Sequence, residues 1–505
     1  MEDGAEMNRD LAPATARRWL IRLLAVSGLF KLLLAWSAPL IVDEAYATAV
    51  ARGYSLSFFD HPPLSFWLSV ALADISGLEH PLTYRLAFLL AGLLTTWIMY
   101  RIGEMLGGAR VGLWSAALYV ASPFFLLSGG LLAVPDGTLN LGAALSVMFL
   151  LRILSRSDDG RLRDWVLVGL SLALALGSKY QAAWLPLAFL MFMIFHPGGR
   201  RWFARPGPWL AAGLGLLGVL PVILWNMGNG WASFAFQGGR AGGGGGLSNG
   251  ALMILGQMLF LLPTGMFLAL AGLRLGWRMR ARPEVALLLL VASGPILIFN
   301  YIYFTSTHSL AHWAMPGWQF TLPLGALWLA RQPAAFRRRM GQWTATLAGT
   351  VWLVLVALVF QADTGLLTRP FYPRPPKWDN TLALFDYGDL RPALERRGLW
   401  KDTDLFMASG WIDGGLIASA LGPDRPMRIV PGGAAHHFAY LPGSRAQGVA
   451  LLLRPSLLSD TAQSGARMLA LAQRIDPASE LLRPIILKRG NQPYVAVNIV
   501  RLRLN

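Results

Sequence analysis

Asp43-Glu44-Ala45-Tyr46, followed by Phe59-Asp60-His61-Pro62-Pro63-Leu64, is the stretch from which the fold is read. It begins where the first long apolar run ends. Two adjacent carboxylates are therefore expected at a membrane boundary, then an Asp-His pair stiffened by two prolines. A charged side chain near hydrocarbon costs a few kcal/mol, so such residues are functional candidates unless they only mark the water interface at a helix end.

The rest of the chain bears out the membrane reading. Of 505 residues, 55% are hydrophobic and 14% charged, the composition of a membrane protein. Apolar runs of roughly 17–25 residues predict spanning helices. Eleven are read, at 19–41, 84–103, 111–129, 138–153, 165–178, 181–196, 208–225, 251–272, 285–303, 314–330 and 343–361. Prolines inside them, such as Pro123, Pro263 and Pro295, are tolerated where neighbouring groups satisfy the freed carbonyls. The polar tail to Arg18 precedes a run too long for a signal peptide, so the first span is read as uncleaved, although Ser37-Ala38 resembles a cleavage site.

The formal charge of +17 does not indicate a nucleic-acid partner. The arginines sit in short loops between apolar runs, and no basic groove interleaved with aromatics is visible. Their placement sets the topology instead. Every second connection is basic: Arg101/Arg110, Arg152/Arg156/Arg161/Arg163, Arg200/Arg201/Arg205, Arg274/Arg278/Arg280/Arg282 and Arg331/Arg337/Arg338/Arg339. The positive-inside rule assigns these and the N-terminus to the cytoplasm. An odd number of spans then places residues 362–505 outside, which in a bacterial inner membrane is the periplasm. Cysteine is absent, which excludes disulfides, a thiol nucleophile and a cysteine metal site.

Past Gln361 the pattern changes to a proline-rich linker, Pro370 to Pro376, and then short apolar segments at Leu405–Ala408, Met427–Val430, Gly448–Leu453 and Tyr494–Val500. Helical stretches lie near 390–397, 414–421 and 464–475. This predicts a small soluble α/β domain after the membrane domain of 19–361.

With the topology set, the conspicuous polar residues fall on one face. The first outer loop, 42–83, holds Asp43, Glu44, Tyr46, Arg52, Asp60 and His61. Later ones hold Asp136, Lys179 with Tyr180, Gln237 with Arg240 beside the run Gly242–Gly246, and His308, His312 and Trp313. Each has an ordinary reading. Lysine snorkels, and tryptophan and tyrosine anchor at the interface. His308 and His312, four apart, lack an evident third metal ligand. The glycines read as a flexible linker or as a hinge for a closing loop. Together, acids and isolated cations on one face suit an anionic, lipid-linked substrate. No phosphate loop of nucleotide hydrolases and no serine-esterase elbow is present.

Several stretches resemble the GT-C glycosyltransferases, in particular bacterial homologues of protein O-mannosyltransferases and of the lipid A aminoarabinose transferase. These are Asp43-Glu44-Ala45-Tyr46, His61-Pro62-Pro63-Leu64-Ser65-Phe66-Trp67-Leu68, Pro135-Asp136, Gly177-Ser178-Lys179-Tyr180, Trp225-Asn226 with Trp231-x-x-Phe234-x-Phe236-Gln237, and His312-Trp313-x-x-Pro316. The resemblance covers roughly 19–330 and is most specific in the first outer loop. It implies a metal-independent or weakly metal-dependent transferase, with no firm cofactor, that takes a polyprenyl-phosphate sugar. The acid at the end of the first span, Asp43, would act as base or position the acceptor. Where the aminoarabinose enzyme has a lysine on the donor phosphate, this chain has His61, so Lys179 or Arg240 would take that contact.

The expected reaction is an inverting displacement onto an envelope acceptor, whether lipid A, another glycan or a protein. Glu44, Tyr46, Asp60 and Asp136 would position acceptor or sugar. His61, Lys179 and Arg240 would hold the donor phosphate, and Tyr180, Gln237, His308, His312 and Trp313 would contact substrate. The competing readings are a lipid-sugar flippase, for which paired inverted halves would speak, and a non-catalytic assembly factor whose tail binds partners. No paired halves are visible.

Overall fold

A computed structural model describes residues 11–156, 161–240, 244–372 and 379–504. The first ten residues, Gly242 and Gly243 of the glycine run, and residues 373–376 of the linker lie outside them. The chain forms two compact units: 1–35, 56–65 and 85–352 in the first, and 36–55, 66–84 and 353–505 in the second.

All eleven apolar runs are helical over most of their length, as backbone in lipid requires. Among the described residues, six helices are long and apolar enough to cross a membrane: Pro13–Ser37, Pro81–Gly107, Pro135–Leu154, Leu247–Arg278, Pro283–Thr305 and Ala334–Thr364. Two bent pairs raise the number to eight, Tyr180–Phe195 with Pro197–Ala204 (103°) and Pro206–Gly218 with Leu220–Gly228 (43°). The expected spans at 111–129, 165–178 and 314–330 are shorter helices, Ala109–Ala121, Leu162–Leu176 and Met315–Ala330. This is a multi-pass membrane protein with fewer full-length spans than its apolar runs suggest.

The first unit is organised on Met315–Ala330, which is buried at every position except Trp328 and Ala330. It lies against Leu247–Arg278 so closely that a Cβ on Gly272 would come within 2.3 Å of the Gly325 nitrogen. Paired small residues allow this approach where apolar burial gives little drive between helices in lipid. Leu247–Arg278 itself breaks at Pro263, with Leu262 at φ 63°. The Phe260 carbonyl, in the turn before the proline, accepts a 2.6 Å hydrogen bond from Ser122 Oγ.

The loop expected at 42–83 instead contains two helices, Val42–Ala51 and Leu64–Ser76. The first span ends at Ser37, short of position 41, and Asp43 and Glu44 open the next helix rather than close the span. Acids are favoured in a first helical turn because they face the positive end of the peptide dipoles.

In the second unit, residues 405–504 form a mixed five-stranded sheet with strands β1 (Leu405–Ala408), β2 (Met427–Ile429), β3 (Gly448–Leu457), β4 (Glu480–Arg489) and β5 (Gln492–Leu504). Their order is β2-β1-β3-β5-β4, with β1 parallel to β2 and β3, and β5 antiparallel to β3 and β4. The predicted α/β domain is present, and four strands match the apolar segments read from the sequence. The unforeseen one, β4, is an edge strand carrying Arg483 and Lys488, with a register shift around Pro484. Charges and proline are how edge strands avoid pairing with other chains, and they erase the strand signal.

Arg489 ties this sheet to the end of the last long helix. Its guanidinium pairs with Asp379 at 2.7 Å and donates to the carbonyls of Ala362 (2.9 Å) and Gln361 (2.6 Å), with both charged side chains 1% exposed. Removing one partner of such a pair strands a buried charge. Arg489→Met is expected to destabilise the second unit by about 3–5 kcal/mol in chemical denaturation. A loss below about 1 kcal/mol would show that the pair is solvated.

Candidate active site

In the first unit, the turn after Ser57 is closed by hydrogen bonds to the His61 carbonyl from Phe58 N (3.0 Å) and Ser57 Oγ (3.3 Å). The helix Ala232–Gly239 fixes it further. Gln237 Nε2 donates to the Asp60 carbonyl at 2.7 Å, Ser233 Oγ donates to that of Phe58 at 3.2 Å, and the rings of Phe59 and Phe236 lie 4.7 Å apart. Leu64 N donates to the Gly177 carbonyl at 2.9 Å, which brings the His61 turn beside the Lys179 turn.

Asp136 stands in the first turn of Pro135–Leu154, where Pro135 fits the first helical position because it has no N–H to satisfy. Lys179, in extended backbone just beyond Leu162–Leu176, reaches it. Nζ and Oδ1 are 2.8 Å apart, and the two side chains are 8% and 6% exposed. Around this pair lie His61, Arg240 and His312, all within electrostatic reach. Arg240 rests its guanidinium on the faces of Trp313 (4.7 Å) and Phe236 (5.6 Å) and feels the charge of Asp60. His312 stacks on Phe124.

Both histidines are neutral at physiological pH. Burial pushes each imidazole down to about 4; Lys179 and Arg240 push the same way, while Asp136, and Asp60 for His61, oppose them. In the unfolded chain each titrates near 6.5. Depressed groups give stability that is complete above the unfolded value and is lost as pH falls towards the folded one. The melting temperature of the solubilised protein is therefore expected to be flat above about pH 6.5 and to drop steadily towards pH 4. A melting temperature that rises over that interval would mean the imidazoles are charged in the fold.

The structure thus brings together Asp60, His61, Asp136, Lys179, Gln237, Arg240, His312 and Trp313. Tyr180 packs beside them, its ring 6.0 Å from Phe234. His308 does not join; it is exposed, and its backbone N–H donates to Ser306 Oγ. Among the described residues, no group of three or more His, Cys, Asp or Glu is placed to hold a metal ion.

Asp43, Glu44, Tyr46 and Arg52 belong to the second unit. Asp43 is exposed in its first helical turn, whereas Glu44 is fully buried and accepts a hydrogen bond from Ile41 N at 3.1 Å. Tyr46 is a packing anchor. Its hydroxyl accepts from His437 N at 3.0 Å, and its ring meets Phe66, Trp411, His436 and Phe438 edge-on. Arg52 pairs with Asp74 and Glu79 and lines a cavity of about 190 Å³ with Tyr84, Ser419 and Arg425. Buried cations that were not read from the sequence include Lys31, 1% exposed within the span Pro13–Ser37, and Arg85, 1% exposed. Lys31 stands alone between Phe30 and Leu32 in an apolar run, where the cost of a charge in hydrocarbon is the signal that would have flagged it.

These helices and the small C-terminal sheet have a GT-C fold like that of ArnT. Residues 60–225 match the family model of dolichyl-phosphate-mannose-protein mannosyltransferases. ArnT from Cupriavidus metallidurans bound to undecaprenyl phosphate superposes with a TM-score of 0.64 at 14% identity, over 95% of this chain and 98% of that one. Its apo state gives 0.62 over the same shares and at the same identity. The apo oligosaccharyltransferase of Archaeoglobus fulgidus gives 0.50 at 12% identity, over 90% of this chain and 71% of that one. No curated protein matches the chain by sequence.

Proposed function

We propose that this protein is a membrane glycosyltransferase that moves a sugar from a polyprenyl-phosphate donor to an envelope acceptor. The observation that carries this reading is the Lys179–Asp136 pair, buried at 2.8 Å and flanked by Arg240. A lysine ammonium has three donors and Asp136 takes one, leaving two for a phosphate. Arg240 lies on the faces of Trp313 and Phe236, and its planar fork suits phosphate oxygens. Neutral His61 and His312 add hydrogen-bonding groups without repelling the anion.

In the proposed step an acceptor hydroxyl attacks the anomeric carbon from the face opposite the phosphate. The new C–O bond forms as the bond to the phosphate oxygen breaks, and the leaving electron pair stays on the phosphate beside Lys179 and Arg240. Asp43 receives the hydroxyl proton, an assignment that rests on the sequence. The product is inverted, and the lipid phosphate leaves with its tail. Basic loops support a cytoplasmic N-terminus and a periplasmic C-terminal domain in a bacterial inner membrane.

Purified protein in lipid nanodiscs, given a polyprenyl-phosphate sugar and envelope lipid, glycan or protein fractions without an ion gradient, tests this. Stoichiometric release of polyprenyl phosphate with glycosylation of one fraction is the expected result. Movement of intact donor across the bilayer with no glycosylated product would replace the transferase by the flippase.

A further inference from the structure

One helical turn beyond Asp136, on the same face of Pro135–Leu154 and about 6 Å deeper, is Asn140. It is 0% exposed, and neither its amide nitrogen nor its amide oxygen has a hydrogen-bond partner. Gln319, also 0% exposed, donates Nε2 to the Asn140 backbone carbonyl at 3.1 Å, which leaves its own Oε1 unpartnered. The buried hydroxyl of Tyr119 has no partner at full hydrogen-bond geometry; the side chains of Thr95 and Asn140 approach it as loose hydrogen-bond partners, and it lies within the field of Asp136. Four buried polar atoms from three helices, none held at full hydrogen-bond geometry, thus collect beneath the Lys179–Asp136 pair.

Buried polar atoms are very rarely left without partners, and a group of them specifies what they hold. A cation would face the Asn140 NH₂ and the ammonium of Lys179. An anion would face two amide oxygens and the Asp136 carboxylate. Only a ligand that both donates and accepts suits all four atoms, whichever way the Asn140 amide is turned. A buried water makes about three hydrogen bonds to such groups.

We infer that Asn140, Gln319 and Tyr119 form a buried water site under the ion pair, and that they are positioning residues for the donor site. Through the bound water they fix Asp136, which in turn holds Lys179 towards the phosphate. The positioning role rests on the proposed transferase reading; the water site does not.

A structure of the full-length protein in nanodiscs at about 2.2 Å or better tests the site directly. Ordered density is expected about 2.7–3.2 Å from the Asn140 amide and Gln319 Oε1. Side chains turned to pair with one another, and no such density, would overturn it. For the positioning role, Asn140→Leu is expected to lower kcat/KM for the donor about tenfold with the acceptor KM unchanged. Asn140→Ser, which still holds water, should stay within about threefold of the parent. A fully active leucine variant, or a serine variant as impaired as leucine, would overturn the role. If the leucine variant does not fold, the serine variant and the density decide. A parent protein without transfer activity would instead sink the transferase reading and leave the density result standing.

Discussion

Lys179→Met is expected to lose donor binding and folded yield together. The substitution leaves the Asp136 carboxylate buried without its partner, which costs about 3–5 kcal/mol in comparable pairs. It also removes a cation from the proposed leaving phosphate, where losing one such interaction lowers kcat by about 10²–10³-fold. The two effects separate in the double variant Lys179→Met/Asp136→Asn, which removes both charges. That protein should regain most of its thermal stability yet stay inactive. If the single variant folds as well as the parent, the pair is not buried as the 2.8 Å contact and low exposure require. If the double variant is active, the pair is structural and the phosphate binds elsewhere.

Asp43→Asn is expected to abolish transfer and leave folding intact. The change keeps shape and removes the proposed base, and general-base help is worth about 10²–10⁴-fold. Asp43 is exposed in a first helical turn, so its amide variant keeps the fold's apolar contacts. Glu44→Gln makes the contrast. Glu44 is buried and satisfies the Ile41 N–H, so its amide variant should lower stability more than chemistry. Turnover at the parent rate in Asp43→Asn would refute this residue as the base.

The polar cluster that carries the proposed function was legible because its members are polar residues isolated between apolar runs. His61, Asp136, Lys179, Arg240 and His312 each stand at an end of a helix or in a turn, where a polar residue breaks the apolar pattern. The same logic failed where a charge serves the backbone. Glu44 looks like half of a reactive acid pair, but its carboxylate caps a helix. Tyr46 looks like a substrate contact, yet it is closed in by four aromatic rings. The helices at Val42–Ala51 and Leu64–Ser76 were hidden by their polar and proline-rich flanks. Asn140, Gln319 and Tyr119 left no mark, because an uncharged polar residue within an apolar helix does not disturb its periodicity.

Titration of polyprenyl phosphate against nanodisc-embedded parent and Lys179→Met/Asp136→Asn proteins tests the assignment of the donor site most directly. Saturable binding by the parent, weakened about tenfold or more in the double variant, is the predicted result. Equal affinity in two well-folded proteins would contradict it.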